Sequence, residues 1–86
     1  MNEKQKQQVE RIDSYVGKVL AEGGGHHDIM EGMYDYMGDF KELMDGLPKK
    51  ELDRSCENNP GLLYFAKTLE ILAQGLSDGT IKADGK

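Results

Sequence analysis

Apolar residues recur at three- and four-residue spacing in three separate stretches of the chain, and glycine or proline stands at the boundaries between them. That pattern asks for helices, because side chains three and four apart share a helix face, whereas a strand would alternate. Over residues 3 to 21 the apolar set is Val9, Ile12, Val16, Val19 and Leu20, with Tyr15 at its edge. These residues span about 100° of a helical wheel, a stripe that one neighbouring helix can cover. Gly17 lowers the local helix propensity, and the triple glycine at 23 to 25 ends the segment.

A second helix is expected over residues 28 to 45, with Asp28 as N-cap and Glu31 three residues on, in the positions of a capping box. Its apolar residues are Ile29, Met30, Met33, Tyr34, Tyr36, Met37, Phe40, Leu43 and Met44. They cover roughly 180°, so this helix needs two neighbours, or one neighbour and a partner. Gly46 closes it, and Pro48 suits the first position of a short third helix, "PKKELDRSCEN", in which only Leu52 and Cys56 share a face. Asn59 and Pro60 then supply an N-cap and a first helical residue for a fourth helix over 60 to 76. Its main stripe is Leu62, Phe65, Ala66, Leu69, Leu72, Ala73 and Leu76, while Leu63, Tyr64 and Ile71 point elsewhere.

The expected fold is therefore all-α: a small three- to four-helix bundle of antiparallel neighbours, the short third helix a connector and the second helix packed between the first and fourth. Residues 1 to 77 form one domain, and residues 78 to 86, with the turn signal Asp78-Gly79 and a single apolar residue, Ile81, form a flexible tail. A chain of 86 residues buries only about 60–65% of its unfolded surface, so the core is modest. One cysteine, Cys56, makes no internal disulfide, and no apolar run has the length of a signal segment or a membrane span. The expected location is the cytoplasm, without a membrane anchor.

The net charge of −5 is unevenly distributed. Acids and bases cancel in residues 1 to 22, 48 to 59 and 60 to 86, and the excess lies in residues 23 to 47, where Asp28, Glu31, Asp35, Asp39, Glu42 and Asp45 face Lys41 alone. On the wheel Asp28, Glu31, Asp35, Asp39 and Glu42 fall within about 80°, opposite the methionines. Like charges four residues apart oppose their own helix, by roughly 1 kcal/mol for the row at low salt. A row with no interspersed lysine is a candidate docking surface for a basic protein, which it would steer electrostatically. Direct nucleic-acid binding is disfavoured for the same reason.

"GGGHHD", residues 23 to 28, also offers metal ligands, and His26, His27, Asp28 and Glu31 form an alternative metal-binding or metal-sensing set. Adjacent histidines on a helix diverge by about 100°, so the glycines would have to wrap an ion. A phosphate cradle is opposed by the acids of the following helix. No nucleophile and base stand at turn spacing, so no catalytic residues and no cofactor are assigned and the chain reads as non-enzymatic. Methionines and tyrosines on the second helix, with the second face of the fourth, suit a homodimer interface through Met30, Tyr34, Met37, Leu63, Tyr64 and Ile71. The leading expectation is a small acidic binding or regulatory module, such as an inhibitor that docks an acidic helix on a basic, nucleic-acid-binding partner. A structural subunit of a larger assembly is a third reading.

Overall fold

A computed structural model describes residues 1 to 80 and realises the periodicity as five helices: α1 (Glu3–Ala21), α2 (His26–Gly32), α3 (Tyr34–Gly46), α4 (Lys49–Asn58) and α5 (Pro60–Asp78). Among these residues there is no strand, and no helix is long and apolar enough to cross a membrane. Most of the expected tail, including Ile81, lies outside the described residues. Asp78, expected in the tail, is instead the last residue of α5, and Gly79, with a φ of +83°, terminates the helix in the left-handed region. There the Thr80 hydroxyl and N–H both donate to the Asp78 carboxylate and hold it below the usual carboxylate range.

Helix α1 begins with a reciprocal capping box: the Gln5 N–H donates to the Asn2 side chain at 2.8 Å, and the Asn2 N–H donates to the Gln5 side chain at 2.9 Å. It ends in a Schellman motif, in which the Gly24 N–H reaches the Val19 carbonyl at 2.9 Å and the Gly23 N–H reaches Leu20 at 3.0 Å. Gly23 carries the required positive φ, +86°. Gly24 is held by crowding, since a Cβ there would stand 2.6 Å from Val19 Cγ1.

The expected continuous helix over 28 to 45 is instead two helices, α2 and α3, parted at Met33. Tyr15 of α1 provides the cause. Its hydroxyl donates to the Ile29 carbonyl at 2.7 Å, the acceptor that the Met33 N–H would use in an unbroken helix. Gly32 makes room, because a Cβ there would lie 2.6 Å from the Tyr15 hydroxyl oxygen. The chain resumes with a tighter bond from the Tyr36 N–H to Met33, at 2.9 Å, and the Tyr36 ring stacks on Tyr15 with centroids 4.5 Å apart.

Helix α1 packs directly against α5, with no second helix between them. It makes its most extensive contact with α5 and also packs on α3 and α2, so the expectation that one neighbour covers it, and that the second helix lies between first and fourth, is corrected. The sequence stripe was too narrow because polar residues widen the buried face: Gln8 is buried, and Asp13 takes the Gly61 N–H at 2.7 Å. Gly61 is what lets α5 come so near, since a Cβ there would stand 2.6 Å from the Asp13 carbonyl oxygen. Asn59 occupies the expected N-cap position of α5, yet its side chain turns back to the Ser55 carbonyl at 2.8 Å and closes α4, leaving Asp13 to satisfy α5 from across the interface.

The buried side of α5 runs through Gly61, Leu62, Phe65, Thr68, Leu72 and Gly75, which rotates it from the expected stripe and leaves Ala73 and Leu76 exposed. Small residues again explain the difference, because they bring α5 close to its neighbours without registering as apolar. Ile12, Val16, Ile29, Met33, Leu43, Leu62 and Phe65 are fully buried in the core, and Phe40 meets Phe65 at 5.3 Å between centroids.

Candidate functional site

The stretch richest in candidate ligands resolves into caps and packing contacts. Asp28 stands at the third position of α2, not at its N-cap, which is Gly25. Its carboxylate accepts the Gly25 N–H at 3.0 Å, a bond that also suits the positive end of a helix. The two histidines part company. His26 turns inward, its ring stacked on Tyr64 with centroids 4.2 Å apart and its Nδ1 2.6 Å from the Thr68 hydroxyl. That hydroxyl spends its proton on the Tyr64 carbonyl at 2.9 Å, so it must accept from His26, and the imidazole bears its hydrogen on Nδ1. The result is a clasp that fastens the start of α2 to the middle of α5.

His27 points into solvent and reaches Glu31 only loosely, at 3.8 Å between two well-exposed side chains. The set His26, His27, Asp28 and Glu31 is thus dispersed over a clasp, a cap and an exposed pair. Among the described residues no three histidine, cysteine, aspartate or glutamate side chains are grouped so as to hold a metal ion.

The acidic row is divided in the same way. Its C-terminal half is answered by α1. Asp39, only 18% exposed, pairs with Arg11 at 3.3 Å and accepts from Gln8 at 3.3 Å. Glu42 also accepts from Gln8, and Lys4 stands 3.7 Å away. Arg11 further lies over the Tyr36 ring, 5.8 Å from its centroid. These contacts make Asp39 and Glu42 part of the α1–α3 interface. Asp35 remains exposed, and among the described residues no ion pair involves it. Asp35 and Glu31 are felt at Tyr15, where burial pushes the phenol above its ordinary pKa and these carboxylates add to the shift.

The residues expected at a dimer interface also divide. Met30, Met37 and Tyr64 are half-buried and packed against the core, whereas Tyr34, Leu63 and Ile71 are exposed.

What the structure adds is an open apolar groove of about 620 Å³ between α3, α4 and α5. Phe40 is buried at its floor, Leu52, Cys56 and Leu69 are half-buried along it, and Met44 and Leu63 line it while remaining 45% and 41% exposed. Burial, with Asp53 adding to it, raises the Cys56 thiol pKa. Exposed Asp53 and Glu57 on α4 and Lys67 and Glu70 on α5 border the groove. The pair Leu52 and Cys56 was the sequence signal for it: a helix with so small an apolar face leaves part of its neighbours uncovered. Phe40, Met44, Ala66, Leu69 and Ala73 belong to the apolar stripes expected from helical spacing, whereas Leu63 lies on the second face of the fourth helix, expected at a dimer interface.

Comparison of the chain with protein-family models, with curated proteins and with solved structures finds no match.

Proposed function

We propose that the protein is a small acidic, non-enzymatic protein-binding module that regulates a partner by covering a basic surface on it, and that the groove between α3, α4 and α5 is its point of engagement. The helices are read as a small bundle of antiparallel neighbours built to present that groove. The carrying observation is the groove itself: Met44 and Leu63 stand exposed beside a floor that reaches Phe40. Apolar side chains left together at the surface of a chain with so small a core point to a binding surface, since burial there would contribute about 25 cal/mol per Å² of apolar area.

The groove takes the place of the acidic row as the preferred surface because Asp39 and Glu42 are already engaged by Arg11, Gln8 and Lys4. Unbalanced acids still give the molecule its long-range attraction to a basic partner. If that partner binds nucleic acid through lysines and arginines, occupancy inhibits it.

Capture from the native host tests the reading with three baits: the unaltered chain, Leu63→Glu, and the double variant Glu31→Gln with Asp35→Asn. The reading expects a protein retained by the first and third baits and lost from the second. A protein lost from the third bait and kept by Leu63→Glu contradicts it.

A further inference from the structure

We propose that the occupant of the groove is an amphipathic helix of the partner, with an apolar face flanked by lysine or arginine; this rests on the groove being the binding surface. Length and charge carry the assignment. Along α5 the groove extends from Leu63 to Ala73, a rise of about 15 Å at 1.5 Å per residue. Apolar anchors at i, i+3 or i+4, and i+7 of an incoming helix span about 10.5 Å, so two turns fit. Met44 offers an unbranched, adaptable side chain to such a face.

Charge selects among possible occupants. Asp53, Glu57 and Glu70 border the groove against Lys67 alone, and among the described residues no ion pair engages any of the four. A second copy meeting this groove through a two-fold axis would bring one acidic border against another. An acidic helix would meet the same repulsion. Cations flanking the apolar face of a helix would instead sit beside Asp53 and Glu57 on one side and Glu70 on the other.

Two synthetic peptides of about 14 residues, long enough for nearly four turns, provide the test. Both carry leucines at helical spacing; one has lysines on the flanks and the other has glutamates in their place. Affinity is read by fluorescence anisotropy, and groove occupancy by the rate of Cys56 alkylation. The lysine peptide is expected to bind the intact protein at least about tenfold more tightly than the glutamate peptide, the gap narrowing at roughly 0.5 M salt. It should slow Cys56 alkylation, and Leu63→Glu should abolish both effects. The exposed double variant Glu57→Lys with Glu70→Lys leaves the apolar lining intact and should reverse the preference.

Equal binding of the two peptides with Cys56 protected overturns the charge assignment and leaves the groove as a binding surface. If neither peptide protects Cys56, the proposal is overturned and the result counts against the groove as well. A dimer in sedimentation that protects Cys56 and is dissociated by Leu63→Glu overturns it in favour of a second copy.

Discussion

Asp13 on α1 and Gly61 on α5 join the two long helices at close range: the Gly61 N–H donates to the Asp13 carboxylate at 2.7 Å, and a Cβ on Gly61 would be 2.6 Å from the Asp13 carbonyl oxygen. Main-chain atoms of a packed helix cannot swing aside as a flexible side chain can. Gly61→Ala is therefore expected to destabilise the fold by about 2 kcal/mol through overpacking. Asp13→Ala, which removes the cap and leaves the packing, should cost about 1 kcal/mol. Urea denaturation monitored by circular dichroism gives both values.

Other glycines separate conformational need from crowding. Gly23 has open space around its Cβ position but a φ of +86°, so Gly23→Ala is expected to cost roughly 1–2 kcal/mol from backbone strain alone. Gly17 lies inside α1 with nothing within 4 Å, and Gly17→Ala should raise stability by roughly 0.5–1 kcal/mol. Opposite signs in the same denaturation experiment are the expected result.

Tyr15 joins α1 to the break between α2 and α3, and its hydroxyl is the joint. Tyr15→Phe keeps the stack on Tyr36 but leaves the Ile29 carbonyl without its phenol partner, a loss of about 1–3 kcal/mol. Burial raises the phenol pKa, so the neutral form is the one that stabilises the fold. That contribution is whole below the unfolded value of about 10 and is lost as pH rises through the higher folded value. Stability measured across the alkaline range should fall in the unaltered protein, with this component absent from Tyr15→Phe.

Much of this architecture is legible in the sequence, and the illegible part has one physical cause. Apolar spacing locates α1 and α5 almost to their ends, because burial of Ile12, Val16, Leu62 and Phe65 is what makes those helices stable. The register between them depends on Asp13 and Gly61, whose polarity and small size give no hydrophobic signal. The break at Met33 is similarly hidden, since a residue 14 positions from Ile29 imposes it. In the candidate site the acids could be read as a row, but their cations lie on another helix and come together with them only on folding. The groove is legible only in the small apolar face of Leu52 and Cys56, because Met44 and Leu69 fit helical periodicity whether a helix of the same chain covers them or not.

The clasp of His26 on Thr68 allows a direct check of coupling between α2 and α5. Thr68 is fully buried, and Thr68→Val removes the acceptor that the His26 Nδ1–H requires. His26→Ala and Thr68→Val are each expected to cost about 1–2 kcal/mol, and a double-mutant cycle should return a coupling of about 1 kcal/mol. Additive losses would mean that the two side chains act separately.

Hydrogen exchange of the protein with and without a partner captured from its host, read by mass spectrometry, addresses the central claim most directly. Occupation of the groove by a partner predicts slower exchange in the segments that line it, around Met44, from Leu52 to Glu57 and from Leu63 to Ala73, with the exposed side of α2 around His27 and Glu31 unchanged. Protection confined to residues 26 to 35, with the groove segments unaltered, would contradict the account and return the binding surface to the acidic row.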